Sequence, residues 1–377
     1  MIVLSLSLAL VAFLISLPLT GLLVWVSRRR GWLDAVGAEG HKLHVQPTPN
    51  VGGVAIFTAV AMPMALAMLA VWLVPDAQWQ RFAPDISIHL PGLRAMTAVG
   101  GGVLTGMALL HLVGLLDDRR SLGPMIKLTA QTAVALGLVV LADMRVLTLL
   151  DVYGVPGTAL SIVLATTWIV VIVNAFNFLD NMDGLSAGVA AIIAALYLVA
   201  TIIGGQWFVA GLAALLLGAL VGFLVWNFPP AKIFMGDAGS LVVGLTLAVI
   251  SIRTTYFDTD TLQPEAGRAW YGLLMPLVVM AVPLYDFVSV TVVRVAQGRS
   301  PFVGDHSHFS HRLVKLGLSR RRAVGVIWLC TLATALGGVM LGSLATWQVL
   351  LVAAQVAAVL ALLAVLEHGT AKRRGEV

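Results

Sequence analysis

The stretch "GTALSIVLATTWIVVIVNAFNFLDNMDG", Gly157 to Gly184, carries no charge until Asp180 and then ends in two carboxylates, with three amides among them. A bilayer crossing needs about 20 mostly apolar residues, and Gly157 to Ala175 supplies one. The polar end is what asks for an explanation. Asn174, Asn177, Asp180 and Asp183 recur every three residues. Each such step drifts about 60° around a helix axis, so the first three share roughly a 120° arc. A helix end that merely meets water has no need of the amides upstream in "VIVNAFNF".

The rest of the chain repeats the pattern. Its 377 residues are 59% hydrophobic and 11% charged, against roughly 45–50% apolar in soluble domains, and mean hydropathy is +0.97. The reading is an all-α, multi-pass integral membrane protein of about eleven transmembrane helices. They fall near 2–26, 52–74, 96–116, 125–142, 157–175, 185–203, 207–227, 239–254, 272–293, 323–344 and 347–366. One polytopic domain fills residues 1–377, with no soluble domain left over.

Basic residues orient it. "RRR", Arg28 to Arg30, follows the first apolar run and no basic residue precedes it, which disfavours a cleavable signal peptide and puts the N-terminus outside. The loops assigned inside lie near 27–51, 117–124, 176–184, 228–238 and 294–322. With Lys127 just past the second of these and with the C-terminal tail, they hold eighteen Lys and Arg, against five outside, Arg81, Arg94, Arg145, Arg253 and Arg268. That asymmetry is the positive-inside pattern, with the C-terminus cytosolic. The net charge of +5 therefore reports orientation rather than nucleic-acid binding. Cys330, the one cysteine, can form neither an intrachain disulfide nor a cluster. His111 reads as a satisfied core histidine, and 143–157, rich in β-branched and turn residues, as a small external hairpin.

The inside loops gather the chemistry: Asp117 and Asp118 in "LLDDRR", Asp180 and Asp183, and Asp237 in "FMGDAGS", accompanied by Asn174, Asn177 and Asn227. Five carboxylates on one membrane face need a neutraliser. An all-oxygen set suits Mg²⁺, or Mn²⁺, and Mg²⁺ usually takes one or two protein carboxylates with phosphate and water completing its shell. Gly236 and Gly239 allow close backbone approach beside Asp237, where open amides at a helix start could meet phosphate. The last inside loop adds His306, His308, His311 and Arg312. Zinc would need a third ligand at a recognisable spacing, so histidines beside basic residues suit a diphosphate better.

In these residues the chain resembles the polyprenyl-phosphate N-acetylhexosamine-1-phosphate transferases of glycosyltransferase family 4. The resemblance rests on "HKLHVQPTPNVGG", "GLLDDRRSLGPMIKL", "NAFNFLDNMDGLSAG", "NFPPAKIFMGDAGSL" and the histidine-containing last loop, in the family's order. It implies transfer of a sugar 1-phosphate from a UDP-sugar to a polyprenyl phosphate, with release of UMP, at the cytosolic face of the inner membrane. It implies catalytic roles for Asp117, Asp118, Asp180 and Asp183, and Mg²⁺ contacts from Asp237 and Asp118. Substrate contacts fall to Lys42, Lys127, Asn174, Asn177, Asn227, His308, His311 and Arg312.

Asp117 is then the candidate base in a single displacement, with a covalent phosphosugar-aspartate route as the rival. The last loop, "GDHSHFSH", departs from the "PDRxHxHH" of the N-acetylglucosamine branch: His306 stands for its Arg and Ser310 for its middle His. The triple-histidine stretch of the branch that uses phospho-MurNAc-pentapeptide is absent, so the N-acetylglucosamine branch is preferred, with other UDP-hexosamines and that pentapeptide as alternatives. Asp286, in "PLYDFVSV", is either a buried structural partner or catalytic. The expected partners are the UDP-sugar, the polyprenyl phosphate and the lipid bilayer, with a homodimer left open and no nucleic acid. A transporter would line a path near the bilayer midplane, whereas these residues gather at span ends; a non-catalytic homologue would not need the full aspartate set.

Overall fold

The computed structural model describes residues 1–32, 47–254, 274–300, 308–341 and 344–371, the last six of these by backbone alone. Lys42, Asp305 and His306 lie outside them. The described residues form helices in the order α1 (Ile2–Arg30), α2 (Gly52–Leu73), α3 (Asp76–Phe82), α4 (Pro84–Ser87), α5 (Leu90–Ala95), α6 (Thr97–Arg119), α7 (Pro124–Leu141), α8 (Val155–Leu179), α9 (Leu185–Ile203), α10 (Trp207–Asn227), α11 (Asp237–Thr254), α12 (Met275–Val279), α13 (Ala281–Ala296), α14 (Phe309–Lys315), α15 (Arg320–Met340) and α16 (Thr346–Ala371). The expected all-α, multi-pass architecture holds. Among the described residues ten helices are long and apolar enough to cross a membrane: α1, α2, α6 to α11, α15 and α16.

The bundle is built around α11. Buried residues make up 83% of its apolar window, against 17% for α1 and for α16, so α11 is the axis and those two are rim helices with faces left for lipid. Helices α6, α8 and α2 pack on α11, while α1 lies along α10. The approach to the start of α11 is backbone against backbone. A Cβ on Gly114 of α6 would stand 2.4 Å from Ala238 Cα, and one on Gly53 of α2 would stand 2.3 Å from Gly239 N. In membranes, small residues are what let helices come this close.

One expectation is corrected, and one apolar run takes a form that the sequence did not show. The apolar run expected as a ninth span at 272–293 is broken: α12 ends at Val279, Met280 forms a turn, and α13 begins at Ala281. Pro283 explains the break, because it has no N–H to give the Val279 carbonyl and its ring crowds that carbonyl. The hairpin expected at 143–157 is instead a 3₁₀ turn, Thr148–Tyr153. Arg145 bridges Asp143 and Asp151, Thr158 Oγ1 donates to Asp151, and Ser161 Oγ donates to the Val146 carbonyl. These bonds fold the segment onto itself and onto α8, leaving no partner strand among the described residues.

The loop at 75–95, read from sequence only as a polar break, forms α3 to α5. His111 is buried on α6 as expected, its Nδ1 donating to the Ala238 carbonyl at 2.9 Å and its ring stacked on Phe57.

Candidate active site

The start of α11 is where the polar motifs meet. Gly236 adopts φ +68°, which favours glycine, and turns the chain so that Asp237 opens the helix. One oxygen of Asp237 accepts from Lys127 Nζ at 2.8 Å, and the other from Asn177 Nδ2 at 2.9 Å. Lys127 also donates to Asp117 at 3.0 Å, so a single ammonium bridges two carboxylates from α6 and α11. Asp117 is further held by the Leu122 amide at 2.8 Å. That contact closes the turn between α6 and α7, where Gly123, with φ +80°, and Pro124 stop one helix and start the next. Asn177 Nδ2 also reaches Ser240 Oγ at 2.9 Å.

Asp118 faces the same helix start from the other side. It accepts from the Asp237 and Ala238 amides at 2.9 and 3.1 Å and from Asn50 Nδ2 at 3.0 Å. The amides expected to lie open for phosphate at this helix start are therefore answered by a carboxylate of the chain itself. The first turn of a helix leaves its N–H groups without intrahelical partners, and Asp118 supplies two of the missing acceptors.

The "NFLDNMDG" turn forms a second wall. Burial pushes the Asp180 carboxyl up to about 8, helped by the negative charges of Asp237 and Asp118, while the Gly236 amide pulls the other way. Asp183 is buried and accepts from the Ala231 amide at 3.0 Å. Asn227, also buried, accepts from the Gly184 amide and donates to the Ile233 carbonyl, both at 2.9 Å. Both ends of that amide thus hold the loop between α10 and α11 against the start of α9. Asn174 lies deeper in α8, donating to Gln131 of α7 and to the Val170 carbonyl; no hydrogen bond joins it to the carboxylates.

The last loop docks on the same turn. Ser310 Oγ donates to Asn181 Oδ1 at 2.6 Å. His308 Nδ1 is hydrogen-bonded to Asp286 at 2.9 Å, and the Phe309 amide donates to the other Asp286 oxygen at 3.1 Å. Asp286 is fully buried, so of its two expected roles the structure displays the structural one, at the start of α14. Phe178 sits between these parts, edge-on to the His308 ring, with the buried Arg294 guanidinium 5.1 Å from its own ring centre. His311 lies beside His308, and Arg312 donates to Ser289 of α13.

The structure therefore brings Asp117, Asp118, Lys127, Asn177, Asp180 and Asp237 together at one end of the bundle, with Asp183, Asn227 and His308 bracing the loops around them. Sequence reasoning missed Asn50, Ser240, Asn181 and Gln131. Of these, Asn50 had a signal in its place within "TPNVGG", but a turn explained that pattern equally well.

The donors fit a hard divalent cation in one particular way. Among the described residues no three or more His, Cys, Asp or Glu side chains converge as an all-protein cage would. Asp237, a single carboxylate at the helix start beside others that among the described residues only Lys127 bridges, matches an ion held by one or two protein ligands and completed by phosphate and water. The opposite end of the bundle has a different character. A cavity of about 500 Å³ there lies between the Ile88–Met96 segment and the start of α10, with Arg253 on its wall.

Comparisons with known proteins show which family the chain belongs to. The model of the family described as "Glycosyl transferase family 4" matches residues 101–255, the segment that carries Asp117 to Asp237. The decaprenyl-phosphate N-acetylglucosaminephosphotransferase of Mycobacterium leprae is 35% identical over 345 residues, covering 87% of this chain and 81% of its own. A probable undecaprenyl-phosphate N-acetylglucosaminyl 1-phosphate transferase of Bacillus subtilis is 29% identical, covering 89% and 86%. The phospho-N-acetylmuramoyl-pentapeptide-transferase of Staphylococcus carnosus is 27% identical, covering 89% and 98%. With a relative at 35% identity over most of both chains, this chain belongs to glycosyl transferase family 4.

Proposed function

We propose that the protein transfers N-acetylglucosamine 1-phosphate from its UDP derivative to a polyprenyl phosphate, releasing UMP and leaving a polyprenyl-diphosphate sugar for cell-envelope glycan synthesis. The observation that carries the reading is the Asp117–Lys127–Asp237–Asn177 chain of hydrogen bonds at the start of α11. The relatives at 34–35% identity are named for N-acetylglucosamine phosphate transfer, and those named for the muramoyl pentapeptide reach 27–31%. The last loop, without the triple histidine, favours the same branch.

In the reaction an oxygen of the lipid phosphate attacks the β-phosphorus of the UDP-sugar. The bond from that phosphorus to the bridging oxygen breaks, and UMP departs with the oxygen. Three phosphate groups must approach one another, so positioning and charge neutralisation dominate the barrier. A phosphate monoester has its second pKa at about 6, so at neutral pH little proton removal is left to do; Asp117 accepts the proton of the fraction still protonated. Lys127 sets its ammonium between Asp117 and Asp237, where it meets the incoming phosphates. Asp237, with Asn177 beside it, is the proposed holder of Mg²⁺, or Mn²⁺, which when bound would neutralise the diphosphate and the leaving UMP. Asp180 and Asp183 form the proposed nucleotide-sugar wall, His308, His311, Arg312 and Lys42 complete the proposed substrate surroundings, and Asn174 and Asn227 brace the elements behind them.

We place this site on the cytosolic face of the inner membrane, with the N-terminus outside and eleven crossings. Support comes from the Lys and Arg asymmetry and from the course of α12 and α13. A Cβ on Gly338, near the far end of α15, would stand 2.9 Å from Val279 N, whereas Asp286 and Ser289 of α13 bond the last loop. Residues 275–296 thus run the length of α15, about 33 Å at 1.5 Å per residue.

The test is UMP release by purified protein from a panel of UDP-hexosamines with polyprenyl phosphate and Mg²⁺. UDP-N-acetylglucosamine is the expected donor, and EDTA is expected to abolish turnover. Asp237→Asn is expected to lose at least about 10²-fold in kcat while still melting cooperatively. Turnover with no sugar on the panel would end the enzyme reading, and an active Asp237→Asn would end the metal assignment.

A further inference from the structure

Asp118 meets three donors at once, two of them the first amides of α11 and the third the side chain of Asn50. An ionised carboxylate offers about four acceptor positions, and three are filled from within the protein. Asn50 reaches it from a segment that is itself tied down. The Phe234 amide donates to the Pro49 carbonyl at 2.8 Å, and the Gly52 and Gly53 amides donate to Phe234 and Met235, each at 2.9 Å. Residues 49–53 and 234–235 thus form a short backbone ladder beside the start of α11. The slot between them is tight: a Cβ on Gly236 would stand 2.6 Å from both Asn50 Oδ1 and Asp118 Oδ2.

The consequence falls on Asp237. Its backbone amide is held by Asp118, while its carboxylate turns to Lys127 and Asn177. Whatever fixes the amide fixes where the carboxylate stands. We propose that Asn50 and Asp118 are positioning residues: a clamp between the loop before α2 and the end of α6 that caps α11 and aims Asp237, in place of the metal contact the resemblance implies for Asp118. Neither needs to touch substrate. The proposal rests on the transferase reading for its kinetic consequences, and its structural part stands apart from that reading.

The experiment is a charge-swap cycle in the full-length, detergent-purified chain, read by melting temperature and by UMP release. Asn50→Asp sets two carboxylates against each other; Asp118→Asn removes the charged acceptor. Each alone is expected to lower the melting temperature and to cut kcat by about 10²-fold, the scale on which a misplaced catalytic group acts. The KM for UDP-N-acetylglucosamine should change by less than about 3-fold. In the double variant an amide again faces a carboxylate, with the roles exchanged. It should melt above Asn50→Asp and turn over at least about 5-fold faster, the non-additivity expected of residues in direct contact.

Asn50→Ala, which introduces no charge, should add no further loss in the Asp118→Asn background. Losses that multiply with no recovery in melting or rate would overturn the clamp. A wild type that releases no UMP would instead overturn the transferase reading, and the melting temperatures would still decide the clamp.

Discussion

At the scale of single residues, the site is defined by how little positive charge meets its carboxylates. Lys127 bridges Asp117 and Asp237, while Asp180, with its carboxyl pushed up to about 8, receives the Gly236 amide. A carboxyl whose folded value lies above its unfolded one, about 3.9, binds a proton more tightly in the native state. Its contribution to stability is full below about pH 4 and is lost as the pH rises towards about 8. In EDTA, so that no divalent cation intervenes, the melting temperature of the wild type is expected to fall between about pH 4 and 8, and to fall less in Asp180→Asn. Parallel curves for the two proteins would remove the crowding argument. The aspartates were legible in sequence because ionised groups at span ends are costly and need a reason. Asn50 was not, because an asparagine before "VGG" looks like turn chemistry, and only the fold shows that its side chain reaches Asp118, 68 residues on.

At the scale of elements, the position of α11 depends on glycines that differ in what surrounds them. On α6, Gly114 faces the α11 backbone, where a Cβ would stand 2.4 Å from Ala238 N, and Gly101 faces open space. Gly114→Ala should force the helices apart, costing about 1–3 kcal/mol as overpacking does, and loosen the Asp118 cap with a matching loss of UMP release. Gly101→Ala on the same helix should be neutral or stabilising by up to about 1 kcal/mol. Thermal melts of the two variants check this; equal melting temperatures would mean that the close approach of α6 to α11 is not what holds the site. The elements themselves were largely readable, since uninterrupted apolar runs of span length have few alternatives. Where Pro283 breaks α13 from α12, the composition is as apolar as in any span, and hydropathy alone does not register a missing N–H. The 143–157 segment misled for a related reason: β-branched residues suggested a strand, but the bonds from Arg145 to Asp143 and Asp151 close a turn.

At the scale of the whole molecule, the contacts of Asp118 with Asn50, Asn181 with Ser310 and Arg321 with the Pro229 carbonyl join loops that are far apart in sequence at one end of the bundle. The basic residues assigned inside flank those same helix ends, so the charge bias and the site point to one face. If 275–296 crosses the bilayer as a broken helix, Leu274 and Gln297 must lie on opposite sides, and the number of crossings is odd. With Cys330 replaced by alanine, single cysteines at Asp85 and Leu274 are expected to react with an impermeant maleimide added to right-side-out vesicles. Those at Ser121 and Gln297 are expected to react only in inverted ones. All four positions are exposed, so a silent site reports sidedness rather than burial. Leu274 and Gln297 reacting from the same side would make the segment a re-entrant one. Ser121 reacting in right-side-out vesicles would turn the whole orientation over and put the aspartates on the outer face, where a donor nucleotide made in the cytosol could not reach them.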